Sequence, residues 1–318
     1  MSVIETQALR KDYGRIEALK GVSIRVQPGE IYGLLGQNGA GKTTLIKILL
    51  GIVRKTDGQA SLLGEPAGTS QVRARVGYLP EDHRFPDYHT AQSLMDFYGR
   101  LYGVPRSERQ RSIHETLELV GLRDRMNYRI RTYSKGMKQR LGIAQAIFHD
   151  PRVIFLDEPT DGVDPVGRRE IRVLMERLKS EGKTIFLNSH LLGEVEQVCD
   201  RVAILQRGNL VREGTVADLT RQVGCFILGL DAGQTFPTAD VKALGYTVAA
   251  SGVHFEVSLT EKQSIDPVLE MLHAKGLRLR HLVEKKQSLE DVFVSMVDGA
   301  EPGIDARKAV PVGRPAAK

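Results

Sequence analysis

Short apolar runs alternate with longer segments of helical periodicity along most of the chain. This alternation is typical of a layered α/β domain. Two continuous apolar runs, "RVIFLDEP" and "KTIFLNSH", have the form of parallel strands that are covered on both faces. Residues 90–149 show mainly helical periodicity, interrupted near Gly103 and Gly121. The pattern predicts a central sheet followed in sequence by a mainly helical segment and further strands.

The remaining pattern divides the chain into a strand-rich start, a motif-rich middle and a smaller final unit. The start predicts antiparallel strands with a turn at Pro28–Gly29, then a strand "EIYGLLG" and a helix "KTTLIKILLGI" that Gly51 closes. Further strands are expected in "GQASLLG" and "RVGYLPE", and "RVAILQRGNLVREGT" predicts a hairpin that turns at Gly208–Asn209. After residue 222 we expect strands in "CFILGL", "YTVAA" and "HFEVSL" and a helix in "DPVLEMLHAKG".

Composition limits the possible classes of protein. The chain has 318 residues, 41% of them hydrophobic, so it is long enough for one large domain or a main domain with an appendage. The formal charge of +6 is spread along the sequence, as on a solvated surface. Cys199 and Cys225 form no metal-binding spacing and favour a reducing compartment. No signal region is evident, and no run reaches the roughly 18 apolar residues of a membrane helix.

The stretch "GQNGAGKTT" lies between a predicted strand and a predicted helix. Glycines at 36, 39 and 41 let backbone N–H groups turn inward around a phosphate, and a side chain there would block its approach. Lys42 can reach the terminal phosphates, and the Thr43 hydroxyl can bind Mg²⁺. The alternative is an ordinary glycine-rich turn between a strand and a helix. The predicted phosphate-binding residues are Gly36, Asn38, Gly39, Ala40, Gly41, Lys42, Thr43 and Thr44.

A pair of acids ends the apolar run "VIFLDEP". A carboxylate at the end of a buried strand beside a phosphate loop can hold a metal ion or its waters, which is the expected role of Asp157. Glu158 would point toward the γ-phosphate and polarise the attacking water. The alternative is that two acids without a functional role end the strand by chance.

Together with "TYSKGMKQRLGIAQAI" and "NSHLL", these motifs resemble the nucleotide-binding domain of the ATP-binding cassette (ABC) superfamily, in that family's order and spacing. The resemblance covers about residues 3–220, and "YSKGMKQR" resembles the family's signature element. It implies a P-loop NTPase cassette of class α/β, with a mixed sheet, an antiparallel β subdomain and a helical subdomain at about 82–149. The implied domains are the cassette at 1–221, a small α+β domain at 222–298 and a disordered tail at 299–318.

The family closes two cassettes head to tail on two ATP molecules. The resemblance therefore implies that Ser134 and Gly136 contact the γ-phosphate bound by a partner subunit. It also implies that Tyr13 stacks on adenine, although a strand tyrosine in the core is the alternative. His190 would contact the γ-phosphate. The alternative is a histidine at a strand end whose hydrogen bonds are made within the protein. Asp164 would connect the two sites, cap the helix that begins at Pro165, or do both.

The sequence departs from the family pattern at two places. Glu81 in "GYLPED" stands where the family usually has glutamine, and we carry over its metal-binding role. Lys135 and Met137 replace a common glycine and glutamine of the signature. These variations resemble one branch of the family, the single-cassette bacterial subunits that serve separately encoded exporter permeases. The ending "SLEDVFVSMV" is similar to the end of the small C-terminal domain of that branch.

The resemblance implies an ATPase that uses ATP and Mg²⁺, forms a homodimer and drives an integral membrane permease from the cytoplasmic face of the inner membrane. Catalytic roles fall to Glu158, His190 and Lys42, and metal-binding roles to Thr43, Glu81 and Asp157. Aromatic residues between Glu81 and Gly103 would either receive the permease or lie in the core: Phe85, Tyr88, Phe97, Tyr98 and Tyr102. The alternatives are a soluble ABC ATPase that acts on nucleic acid or the ribosome, and a nucleotide sensor. No nucleic acid partner is expected, since each motif occurs once and no coiled-coil or zinc insertion is present.

Overall fold

The computed structural model describes residues 2–260, 263–286 and 288–297. The chain divides into two compact units, one up to Val216 and one from Ala217 onward. The sequence-based boundary at residue 221 and this division are separated by one short helix, Val216–Thr220. The tail expected to be disordered, residues 299–318, lies outside the described residues.

The first unit contains eleven strands and seven α-helices. Its strands are β1 (Ile4–Tyr13), β2 (Ile16–Val22), β3 (Arg25–Val26), β4 (Ile31–Gly36), β5 (Asp57–Leu62), β6 (Glu65–Pro66), β7 (Val76–Leu79), β8 (Val153–Asp157), β9 (Thr184–Asn188), β10 (Arg201–Gln206) and β11 (Asn209–Thr215). Its helices are α1 (Lys42–Leu49), α2 (Ser70–Arg73), α3 (Ala91–Leu101), α4 (Arg106–Leu119), α5 (Lys135–Ile147), α6 (Pro165–Ser180) and α7 (Leu192–Val198).

Two sheets organise the first unit. One is antiparallel, in the order β2-β1-β5-β6 with β3 paired to β1. The other has the order β11-β10-β4-β9-β8-β7, in which every neighbouring pair is parallel except the hairpin of β10 and β11. Helices α3, α4 and α5 follow β7 in the chain, as the periodicity of residues 90–149 predicts. The mixed sheet, the antiparallel sheet and the helical segment confirm the predicted fold class.

Aromatic rings form the centre of the mixed sheet. Tyr32, Phe186 and Phe155 are direct register partners on β4, β9 and β8, and all three are fully buried. Tyr32 stacks on Phe186 with ring centroids 5.6 Å apart, and Phe155 follows at 5.2 Å. Burial on both faces agrees with the continuous apolar runs that predicted these strands.

The described residues of the second unit form a four-stranded antiparallel sheet with two helices packed against one face. After α8 (Val216–Thr220), its elements are β12 (Arg221–Leu230), α9 (Thr238–Ala243), β13 (Thr247–Ser251), β14 (His254–Ser258), α10 (Asp266–Ala274), β15 (Leu279–Lys286) and α11 (Leu289–Val297). The strand order is β13-β14-β12-β15. Residues of α9 and α10, including Val241, Val268 and Leu272, form a core with Leu228 and Val257 of the sheet.

Two details differ from the sequence-based expectation. The hairpin between β10 and β11 turns at Arg207 and Gly208, one residue earlier than predicted, and both residues have positive φ. Positive φ at both central positions is the geometry that matches the twist of a two-residue hairpin. The structure also contains α8, α9, β15 and α11, which were not predicted as elements. Among the described residues, no helix has both the length and the apolar character needed to cross a membrane.

Helix α5 approaches strand β7 so closely that Gly77 has no room for a side chain. A Cβ at Gly77 would lie 2.1 Å from the carbonyl oxygen of Ala146. We expect Gly77→Ala to lower the free energy of unfolding by about 1–3 kcal/mol, because the helix backbone must move. Gly193→Ala is the matched control, since nothing lies within 4 Å of that Cβ position. Denaturant titration measures both, and equal midpoints for the two variants would contradict this packing.

Candidate nucleotide-binding site

The carboxyl ends of four neighbouring parallel strands meet at one edge of the mixed sheet. These strands are adjacent in the order β4-β9-β8-β7. The loop 36–44 follows β4, Ser189 and His190 follow β9, Glu158 follows β8, and Glu81 follows β7. Ligands of open parallel sheets bind in the crevice outside the carboxyl ends of the strands. The fold therefore brings most of the sequence-predicted residues to one place.

The loop between β4 and α1 presents the start of a helix. Helix α1 begins at Lys42, its N-cap is Gly41, and no side chain caps it. Thr43 and Thr44 lie in the first turn, where backbone N–H groups have no acceptor within the helix. No acidic residue occupies that turn. This helix end is positively polarised and suited to a phosphate group.

The three glycines of the loop are needed for different reasons. A Cβ at Gly36 would lie 2.5 Å from the carbonyl oxygen of Leu205, and one at Gly41 would lie 2.5 Å from that of Ala18. Both glycines therefore permit close packing of the loop against its own protein. Gly39 has open space around its Cβ position and a φ of +80°. The left-handed backbone therefore favours glycine at 39, and the open space there also agrees with the sequence-based reason, room for a phosphate beside the loop.

Lys42 is buried beneath this loop. Its ammonium group donates hydrogen bonds to the carbonyl oxygens of Gly36, at 2.6 Å, and Gln37, at 3.2 Å. Desolvation lowers the pKa of Lys42, and the charges of Glu158, Asp157 and Glu81 act in the opposite direction. The ammonium group thus lies among three carboxylates and is a strong local cation for a phosphate.

Asp157 is buried at the end of β8 beside its register partner Asn188 on β9. The Asn188 side-chain amide donates a hydrogen bond to Asp157 Oδ1. Within the described part of the chain, Asp157 Oδ2 and Asn188 Oδ1 have no hydrogen-bond partner. Burial raises the pKa of Asp157. Buried oxygens without partners are costly, so this pair is suited to an ion that supplies the missing interaction.

Glu158 is held in an unusual backbone conformation. Its φ is +51°, a left-handed value that is uncommon for a residue with a side chain. The Glu158 N–H donates to the carbonyl oxygen of Asn188 at 2.8 Å. Its own carbonyl oxygen accepts a hydrogen bond from Gln139 Nε2 at 2.9 Å. Strand β9 and helix α5 together stabilise this conformation and fix the direction of the side chain.

His190 and Glu158 form a direct pair. Nδ1 of His190 lies 2.7 Å from Oε2 of Glu158. The Glu158 side chain is buried, whereas the His190 side chain is 54% exposed. Burial raises the pKa of Glu158, and His190 partly offsets that effect. The pair combines a carboxylate that is more basic than usual with an imidazole that orients it.

Gln139 supports the backbone of Glu158, and no sequence pattern singled it out. Its side chain is 3% exposed and binds the backbone of Glu158. Within "KGMKQRLGIAQAI" it resembles any polar residue of an amphipathic helix. Its burial depends on the approach of α5 to the end of β8, which no local pattern reveals.

Ser134 begins helix α5, as the signature resemblance implies. Its hydroxyl oxygen accepts a hydrogen bond from the N–H of Met137 at 3.2 Å and caps the helix. Lys135 forms a 2.6 Å ion pair with Asp161. A Cβ at Gly136 would be in ordinary van der Waals contact, with Val163 Cγ1 at 3.7 Å as its nearest neighbour. In the described residues, no hydrogen bond or ion pair joins Ser134 or Gly136 to the loop 36–44.

Comparison with known proteins gives a consistent result. A sequence profile described as ABC transporter matches residues 19–161. An uncharacterised ABC transporter ATP-binding protein of Nostoc sp. is 48% identical over 306 residues, covering 93% of this chain and 90% of the relative. The chain belongs to the ABC transporter family of ATP-binding proteins.

Further relatives agree with this assignment. A Nod factor export ATP-binding protein I of Cupriavidus metallidurans is 33% identical over 299 residues and covers 93% of this chain and 97% of its own length. The solved structure of an ATP-binding subunit of an ABC transporter is 30% identical, with a TM-score of 0.64, and covers 70% of this chain and 93% of its own. The family, the cassette fold, ATP binding and the ATPase class expected from the sequence are confirmed.

The structure also gives the positions of three further predicted residues of this ABC subunit, Tyr13, Asp164 and Glu81, whose roles remain proposals. Tyr13, at the end of β1, is 45% exposed, which excludes the alternative of a tyrosine packed in the core. Lys11 Nζ lies 4.7 Å from the centre of its ring. Asp164 caps α6 by accepting a hydrogen bond from the N–H of Gly167 at 2.6 Å, so its capping role is present. Glu81 is exposed, just beyond β7.

The charge of Asp157 generates a prediction about stability. The pKa of Asp157 is higher in the folded chain than in the unfolded chain. The contribution of Asp157 to the free energy of unfolding therefore falls as the pH rises from the unfolded-state pKa to the folded-state pKa. We expect Asp157→Asn to raise the free energy of unfolding of nucleotide-free protein at neutral pH. The difference in free energy of unfolding between this variant and wild type should decrease as pH falls toward about 4, where the carboxyl group protonates in the unfolded chain.

Asp161→Asn is the matched control with the opposite sign. Its ion pair with Lys135 lowers the pKa of Asp161, and that stabilisation is present above the unfolded-state pKa and lost as pH falls. The pair is exposed, so this substitution should lower stability at neutral pH by at most about 1 kcal/mol. Urea titrations over a range of pH measure both effects, and a shift of the same sign in both variants would contradict this assignment of charge.

Proposed function

We propose that two copies of this ABC subunit close head to tail on two molecules of Mg-ATP and drive a separately encoded permease in export. The observation that carries the hydrolytic part is the pair of Glu158 and His190, 2.7 Å apart at the end of β8. The Glu158 carboxylate is buried and has a raised pKa, and the backbone of Glu158 is held by hydrogen bonds to Asn188 and Gln139, so the side chain is suited to accept a proton from water.

The remaining residues of this edge have complementary roles. The N–H groups at the start of α1 and the Lys42 ammonium would bind the β- and γ-phosphates. Thr43 and Asp157 would hold Mg²⁺, with Glu81 nearby, and the partnerless Asp157 Oδ2 fits that role. When bound, the ion supplies positive charge to the phosphate oxygens. Among the described residues, no group of three or more His, Cys, Asp or Glu could hold a metal ion, so oxygens from the nucleotide would complete its shell.

Hydrolysis would proceed through residues of this chain. Glu158 would accept a proton from the water whose oxygen attacks the γ-phosphorus, while the bond from that phosphorus to the bridging oxygen of ADP breaks. His190 would hold Glu158 through Nδ1 and present Nε2 to the γ-phosphate. Lys42 would neutralise charge that develops on the phosphate oxygens.

The composite site follows from the position of the signature. Ser134 and Gly136 lie at the open N-terminal end of α5 and make no polar contact with the phosphate loop of their own subunit in the described residues. A helix start with a serine hydroxyl is a suitable binder of a γ-phosphate that a second copy presents. Asp164 and Tyr13 would connect the two sites and stack on adenine, respectively.

Two observations support export through a permease on the cytoplasmic face of the inner membrane. A full-length relative is named for Nod factor export. Helix α3 and the segment before it also expose large apolar side chains, among them Tyr88 at 69% and Phe97 at 50%. Such an exposed patch is typical of a binding surface for another protein. The patch is completed by Leu101 and Tyr102, whereas Phe85 and Tyr98 are half-buried.

Replacement of Glu158 tests the proposed chemistry. Glu158→Gln keeps the shape but removes the base, so we expect ATP turnover to fall by about 10²–10⁴-fold while nucleotide affinity changes little. Light scattering should show this variant as a dimer with Mg-ATP and as a monomer without it. Glu176→Gln, an exposed change on α6, is the control and should behave like wild type. Near-normal turnover in Glu158→Gln would exclude Glu158 as the base.

Capture of membrane proteins tests the proposed partner. Phe97→Ser should reduce recovery of a permease from detergent-solubilised membranes by at least about tenfold, since exposed aromatic residues dominate such interfaces. The ATPase activity of the isolated subunit should remain unchanged. Val173→Ser is the matched control, because Val173 is a similarly exposed apolar residue on α6. Recovery of nuclease-sensitive material instead of a permease would favour a subunit that acts on nucleic acid or the ribosome.

A further inference from the structure

The second unit brings two histidines together from different strands. His254 begins β14 and His281 lies on β15, on either side of β12. Gly229 of β12 is the register partner of His281, and Leu228 is the partner of Phe255, which places Gly229 beside His254. The two imidazoles therefore belong to one row across the sheet, although 27 positions separate them in the chain.

Gly229 makes their approach possible. A Cβ at this position would lie 2.6 Å from Cδ2 and 3.1 Å from Nε2 of His254, and 3.1 Å from Cβ of His281. The imidazole of His254 thus occupies the space above the glycine and extends toward His281. Any larger residue on β12 would keep the two rings apart.

The pair lies on the face of the sheet opposite to the one that packs against α9 and α10. Phe255 and Val257 follow His254 and belong to the apolar core with α9 and α10. Side chains alternate between the faces of a strand, so neighbouring His254 points away from that core. Both histidines are half-exposed. An ion from solution can therefore reach them.

The ring geometry agrees with two imidazoles bound to one ion. The ring centroids are 4.8 Å apart and the ring planes are inclined by 51°. A zinc–nitrogen bond is about 2.0–2.1 Å, which places each ring centre roughly 3 Å from the ion and two rings at a tetrahedral angle about 5 Å apart.

The nitrogen atoms of these rings are available for an ion. Within the described residues, neither imidazole has a hydrogen-bond partner. Two acids follow the histidine row at a spacing of two residues, Glu256 after His254 and Asp231 after Gly229. Both already have cationic partners, since Glu256 pairs with Lys285 at 2.7 Å and Asp231 pairs with Arg280. The protein would therefore supply two neutral nitrogen ligands, and water would fill the other positions.

We propose that His254 and His281 bind one divalent transition-metal ion, of the zinc, copper or nickel class, across Gly229. Imidazole nitrogen prefers these ions, whereas Mg²⁺ and Ca²⁺ prefer oxygen. The bound ion joins β14 to β15 over β12 and stabilises the sheet of the second unit. This site is separate in sequence from every residue of the nucleotide-binding edge.

The test measures zinc binding to the full chain without a histidine affinity tag and without nucleotide. Competition with a chromophoric chelator should give one ion per chain, with affinity at least about tenfold weaker in His254→Ala and in His281→Ala. His273→Ala is the matched control, because His273 is an exposed histidine of the same unit. It should bind zinc as wild type does. Absence of binding, or equal binding by all three variants, would overturn the proposal.

A second measurement does not depend on removing a ligand. Cu²⁺ bound to the wild-type chain should give an electron paramagnetic resonance spectrum with two nitrogen donors. Gly229→Ala should lose this signature, because its Cβ would displace the His254 ring. Circular dichroism of the metal-free variant checks that the sheet still forms. An unchanged spectrum in a folded Gly229→Ala chain would show that the copper lies elsewhere.

Discussion

Two adjacent carboxyl groups buried at the end of one strand are the constraint on which the first unit depends. Asp157 and Glu158 are both largely removed from solvent, where a charged carboxylate is costly. Three other elements supply the compensation. Asn188 from β9 binds Asp157, His190 from the following loop binds Glu158, and the ammonium group of Lys42 on α1 lies close enough to affect both. The strand order β4-β9-β8 brings these compensating groups together.

The same compensation is incomplete, and this incompleteness relates to function. Asp157 Oδ2 and Asn188 Oδ1 lack partners in the described residues, and Glu158 has a strained backbone. A protein selected only for stability would replace such groups, because unsatisfied buried atoms and positive φ each cost free energy. Their presence together is typical of a site whose partner is a ligand. Gln139 extends the constraint to α5, because its side chain binds the backbone of Glu158 and so ties the helix capped by Ser134 to the end of β8.

The second unit follows a different principle. Its sheet carries a helix-covered apolar face and an opposite face on which His254, Gly229 and His281 form one row. The relatives of 48% and 33% identity extend over 93% of this chain, so both units belong to the shared architecture. The proposed nucleotide site and the proposed metal site thus lie in units with separate cores.

The sequence by itself determined the class of fold and the family, and it predicted the loop 36–44 and the acids Asp157 and Glu158 as parts of one site, because each is a contiguous pattern with its own local physics. It also predicted most elements, but β15 was missed, since the charged residues of "LRHLVEKK" hide any alternation of apolar positions. Only the tertiary structure decided that Gly36 and Gly41 accommodate backbone carbonyls, that Gln139 holds Glu158, and that His254 meets His281. The physical reason is shared: each contact joins residues from different elements, and strand order and register determine which of them meet.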